Sequence, residues 1–168
     1  RRRVLAVPDL GVLPKKLLEE ILERNHVVLN EKTVILESYK RSATCLETIL
    51  KHSVVEDEVS VLSEAEYEKY PLVLPLAECF LEKDIRLTYE EYHACIGAAE
   101  NYAKANENYQ FNLTKIKGFH NIQITCFEGK WCMISKNRAP AIHFVIHHPK
   151  LRYALENMVL PIRDDEIE

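Results

Sequence analysis

The apolar period of this chain changes once, near residue 110, and no other feature constrains its fold as much. Before that point, apolar residues recur at helical spacing. Leu17, Leu18, Ile21 and Leu22 mark one face of KKLLEEILERN, with Pro14 suited to the first turn. Val34, Ile35, Leu36, Tyr39, Cys45, Leu46, Ile49 and Leu50 mark a longer helix, capped by Asn30 and running to Lys51. Ser63-Glu64-Ala65-Glu66 and Thr88-Tyr89-Glu90-Glu91 have the spacing of capping boxes. The second opens YEEYHACIGAAENYAKANENY, whose small residues Ala94, Gly97, Ala98 and Ala99 would let another helix approach closely. Tyr70-Pro71 interrupts or ends the helix that Ser63 begins, and PLAECFLEKD reads as a further, turn-rich helix. RRRVLAVPD reads as a short strand or an extended arm, HVVLN as an apolar connector or strand, and EDEVSVL as an acidic joint.

After residue 110 the residues become β-branched and aromatic. NIQITCF and KWCMIS flank Glu128-Gly129 and form a hairpin. A two-residue loop would put Gln123 and Ile134 on one face. A loop of Glu128 to Lys130 pairs Cys126 with Cys132 and Ile124 with Ile134, and gives the cleaner alternation. AIHFVIHH is then a third strand, and Pro149 starts a last helix, KLRYALENMV. The expected fold class is α+β: a helical N-terminal two-thirds packed with a small antiparallel β-sheet, made of the hairpin plus the third strand, and a C-terminal helix. No glycine- or serine-rich linker divides the chain. Residues 1–168 are therefore expected to form one α+β domain of a larger protein, with a mainly helical part (1–110), a basic part (111–163) and an acidic tail (164–168).

No apolar run is long enough to span a bilayer. The cysteine count is odd, and Cys45, Cys79, Cys95, Cys126 and Cys132 do not read as a disulfide framework. Reduced thiols in an intracellular protein, nuclear or cytoplasmic, are expected. Cys126, Cys132, His143 and His147 invite a zinc reading, but along a strand the two histidines lie roughly 13 Å apart and cannot share one ion. Neither a metal nor a cofactor is therefore expected. Alternation instead puts Ile142, Phe144, Ile146 and His148 on the buried face of the third strand, and His143, Val145 and His147 on the exposed one.

The chain has no glycine-rich phosphate loop, nucleophile elbow or H-E-x-x-H. Arg86 and His93 are spaced R-x6-H, which resembles the motif of HEPN-type ribonucleases, where the two residues work together on the RNA backbone. The resemblance covers eight residues. Leu87 departs from the polar residue usual after that arginine, and Arg86 precedes the Thr88 cap, outside the helix that carries His93. The expected function is accordingly non-catalytic.

Charge is the clearest functional signal. Residues 1–110 carry a net −6, residues 111–163 a net +6 and the last five residues −4. The basic part interleaves aromatics with its cations, and the candidate partner surface is Lys115, Lys117, Lys130, Trp131, Lys136, Arg138, His143, His147, Lys150 and Arg152. These residues suit a protein-interaction or scaffold module of a regulatory protein that binds an acidic or amphipathic protein segment. The alternative is RNA or DNA, with the cations on phosphates and Trp131 stacking on bases. No membrane role is expected.

Overall fold

A computed structural model describes residues 1–76, 84–114, 122–136, 138 and 142–157. Most of the expected PLAECFLEKD helix, together with Lys115, Lys117 and the acidic tail, lies outside the described residues. The strands are β1 (Arg2–Leu5), β2 (Val55–Ser60), β3 (Tyr109–Thr114), β4 (Ile122–Phe127), β5 (Trp131–Lys136) and β6 (Ile142–Ile146). Among the described residues they form one six-stranded sheet in the order β3-β2-β1-β4-β5-β6. β1, β2 and β3 run parallel, and β4, β5 and β6 extend the sheet from β1 by antiparallel pairing. Helices α1 (Lys15–Arg24) and α2 (Leu29–Leu50) connect β1 to β2. Helices α3 (Glu64–Lys69) and α4 (Tyr89–Ala105) lie between β2 and β3, and α5 (149–157) follows β6.

This mixed sheet corrects the expected small antiparallel one. Strands β2 and β3 were not expected, and β1, read as a short strand or an extended arm, lies inside the sheet; for β1 and β2 the reason is electrostatic. β2 reads VEDEVS and looks like a solvated acidic joint, yet Asp57 is fully buried and pairs with the equally buried Arg3 of β1. Arg3 Nε and Nη2 each donate to an Asp57 carboxylate oxygen at 2.6 Å. Arg3 Nη1 donates to Asp9, and the Tyr109 hydroxyl on β3 donates to Asp57 Oδ2 at 2.7 Å. Two charges that would each be expelled from a core can be held there as a hydrogen-bonded pair. Composition alone therefore misplaces both strands.

Burial works to raise the Asp9 carboxyl, but the Arg3 guanidinium and the Gly11 N–H outweigh it and hold the group below the ordinary carboxylate range. A lowered folded-state pKa gives stability that is complete above the unfolded value and is lost as pH falls through the folded one. Urea unfolding followed from about pH 6 down to about pH 3 should therefore show a steeper loss of stability for the wild type than for Asp9→Asn. Equal slopes would remove Asp9 from the network.

The main core lies where α1, α2 and α4 meet the sheet, and includes Leu18, Ile21, Leu22, Ile35, Leu46, Tyr92, Cys95, Ile96, Val55 and Tyr109. A second, smaller core (Val4, Ile124, Cys126 and Cys132) packs with Ile134 and Leu155, the latter from α5. Both capping boxes form: Ser63 with Glu66, and Thr88 with Glu91. Glu91 also receives Arg24 Nη2 at 2.6 Å, which ties α1 to the start of α4. Helix α2 starts at Leu29 with Val28 at its cap, so Asn30 is not the cap. Val34 and Cys45, counted in its apolar stripe, are exposed. A side chain at Gly97 would meet open space, so that glycine does not serve a close helix approach.

Candidate partner-binding surface

The hairpin forms in the expected register, with Cys126 opposite Cys132, Ile124 opposite Ile134 and Phe127 opposite Trp131. The pleat then sorts the candidate residues. Trp131 lies on the face opposite the two cysteines, half-buried, with its ring 4.8 Å from that of Phe127. His143 shares that face, and its Nδ1 is 2.8 Å from Ser135 Oγ on the neighbouring strand. Lys136 belongs to the other face, opposite Ile142 in register. Lys130 is exposed in the hairpin turn, while His147 and Lys150 are exposed where β6 passes into α5.

Two of the cations are engaged within the chain. Arg138 Nη2 donates to the Pro71 carbonyl at 2.7 Å, and its Nη1 is 3.7 Å from Asp84. Arg152 pairs with Glu156 at 3.5 Å and reaches the Lys130 carbonyl at 3.4 Å. The candidate residues thus surround the corner made by β5, β6 and α5 without forming one flat basic face.

Two β6 side chains that alternation assigned to the interior are exposed at that corner. Ile142 and Phe144, expected to be buried, are 42% and 63% exposed. Val145, on the opposite side of the strand, is 54% exposed, and Leu151 and Tyr153 on α5 are 57% and 65% exposed. The physical reason is the reach of α5. Its Leu155 packs over Val4, Ile124, Cys126 and Cys132, which belong to β1, β4 and β5. Among the described residues β6 pairs only with β5, so its outer edge presents backbone N–H and C=O groups along with these side chains. The usable signal was a last strand with apolar residues on both of its faces.

A cavity of about 360 Å³ is lined by residues including Arg1, Arg2, Glu56, Cys126, Tyr153 and Glu156, and Arg2 there pairs with Glu56 at 2.9 Å. A cavity of about 80 Å³ is lined by residues including Arg3, Asp9, Ser38, Gln123, Ser135 and His143. It is well below the ~300 Å³ or more of common small-molecule sites, and its Arg3 charge is already met by Asp57 and Asp9. The Ser135–His143 contact there links neighbouring strands. Cys126 and Cys132 lie on the opposite sheet face from His143, which separates the residues of the zinc pattern. Among the described residues, no group of three or more histidine, cysteine or acidic side chains is placed to hold a metal ion. Arg86 sits in an extended segment bridged to Val73, outside α4, while the His93 ring packs at 4.5 Å from Tyr89.

No family model, curated protein or solved structure matches this chain. Among the described residues, no helix is long and apolar enough to cross a membrane.

Proposed function

We propose that this chain is a non-catalytic protein-interaction module, of the scaffold type found in intracellular regulatory proteins, and that it takes up an extended partner segment along β6. The observation that carries the reading is a sheet-edge strand with Ile142, Phe144 and Val145 exposed on both of its faces. Added strands gain main-chain hydrogen bonds from such an edge and specificity from alternate side chains. Long apolar edges are usually blunted by charge, a bulge or a cover, and none of the side chains on β6 is a Lys, Arg, Asp or Glu.

The partner's chemistry follows from the surroundings. Residues 130–157 contain Lys130, Lys136, Arg138, Lys150 and Arg152 against Glu156 alone. An extended segment with alternating apolar residues and acidic flanks complements this field, whereas a second copy of the chain would set like charges against each other. Nucleic acid would use the same cations. The exposed apolar edge favours a polypeptide.

The test is selection from a displayed random-peptide library on the immobilised chain, with the F144E/V145E double variant as the counter-target. Both side chains are exposed, so the variant is expected to fold. Enriched peptides should alternate apolar residues and carry acidic ones. Their affinity should fall about thirtyfold on Phe144→Glu, as for the loss of a strong interface anchor. Peptides that bind the double variant equally well would sink the proposal. So would an absence of enriched peptides alongside salt-sensitive binding of single-stranded RNA or DNA, which would put nucleic acid first.

A further inference from the structure

We infer that Cys126 and Cys132 are an oxidisable pair that closes to a cross-strand disulfide beneath α5. The inference is independent of the partner reading. The two residues face each other directly across β4 and β5, and their sulfurs are 2.8 Å apart. A covalent S–S bond is about 2.0 Å long. Directly opposed residues of antiparallel strands have Cα separations of about 4.5 or 5.5 Å, and both values fall within the range that disulfides span. Closure thus requires side-chain rotation and little movement of backbone. Cys132 Sγ also lies 3.7 Å from the Arg152 carbonyl, so the pair is in contact with α5 as well as with the sheet.

Both side chains are buried, with Leu155 of α5 packed against their cluster. Burial raises both thiols above their ordinary range, which keeps them unreactive while α5 is docked. The contact between the two sulfurs lowers Cys132 and further raises Cys126, which makes Cys132 the better first nucleophile once α5 opens. The oxidant is a hydroperoxide. The Cys132 thiolate attacks one peroxide oxygen, the O–O bond breaks, and water or an alcohol leaves as a sulfenic acid forms. The Cys126 sulfur then attacks that sulfur; the S–S bond forms, and water departs with the Cys126 proton. Two electrons pass from the sulfurs to the peroxide.

Trypsin cleavage after Lys130 separates the two cysteines, so a linked peptide reports their bond directly. The native chain should be treated with hydrogen peroxide, blocked with N-ethylmaleimide, digested and weighed by mass spectrometry. The expected result is a Cys126–Cys132 linked peptide that forms about tenfold faster in Leu155→Ala, because loosening α5 raises the open population. In Cys126→Ser the linked peptide should be replaced by oxygen adducts on Cys132. The inference is overturned if the link forms only after unfolding in urea, or if Leu155→Ala leaves the native rate unchanged.

Discussion

Replacing Asp57 by alanine is expected to cost about 3–5 kcal/mol, the largest single-residue effect in this fold, because it leaves a buried guanidinium without its main counter-charge. Arg3 is 1% exposed and cannot turn to solvent. The Tyr109 hydroxyl would lose its acceptor in the same step. Urea unfolding of Asp57→Ala measures the cost, and a loss below about 1 kcal/mol would contradict the account of the sheet centre. The double variant Arg3→Met/Asp57→Leu should recover part of the loss, because it removes both charges together. Full recovery is not expected, since Asp9 and Tyr109 would still lack their partners.

Gly11→Ala should produce the second large effect. A side-chain carbon at Gly11 would sit 2.8 Å from the Ser42 carbonyl carbon and 2.9 Å from the Ala43 nitrogen, both of them backbone atoms of α2. Backbone in the middle of a long helix cannot move aside as a flexible side chain can. The expected cost is about 1–3 kcal/mol, read from the urea midpoint. Gly97→Ala in α4 provides the contrast. Nothing lies within 4 Å of the added carbon, so the usual preference of a helix for alanine should leave the protein equally or slightly more stable. Similar losses at both glycines would mean that α2 does not press on the turn after β1.

These two sites also mark the limits of sequence patterning. The hairpin register was legible because the alternation of Ile122, Ile124 and Cys126 against Cys132 and Ile134 fits only one loop length cleanly. The capping boxes were legible because their spacing carries its own hydrogen bonds. β1 and β2 were not legible as central strands. Their burial depends on Arg3 finding Asp57 across 54 residues of sequence, and no local pattern encodes that meeting. The ionic pair turned an apparently solvated segment into the middle of the sheet.

The candidate surface was legible in part. The cations at 130–152 lie on β5, in α5 and in the adjoining turns, with Arg138 and Arg152 committed to contacts within the chain. Alternation placed Ile142 and Phe144 inside, which assumes that something covers that face. Whether a cover exists depends on where α5 comes to rest, and the strand's own sequence says nothing about that. The apolar edge emerged only when the helix was seen packed over the neighbouring strands.

The most direct test of the central proposal is amide hydrogen exchange across β6, with and without the most enriched peptide from the display selection. Half of the β6 N–H groups point toward β5, and the alternate ones point away from it. Strand addition predicts that the peptide slows exchange at the outward-facing amides of Ile142–Ile146, with little change in β3 at the far edge of the sheet. Protection confined to the hairpin turn and Trp131, with β6 unchanged, would contradict it and move the partner site off the strand.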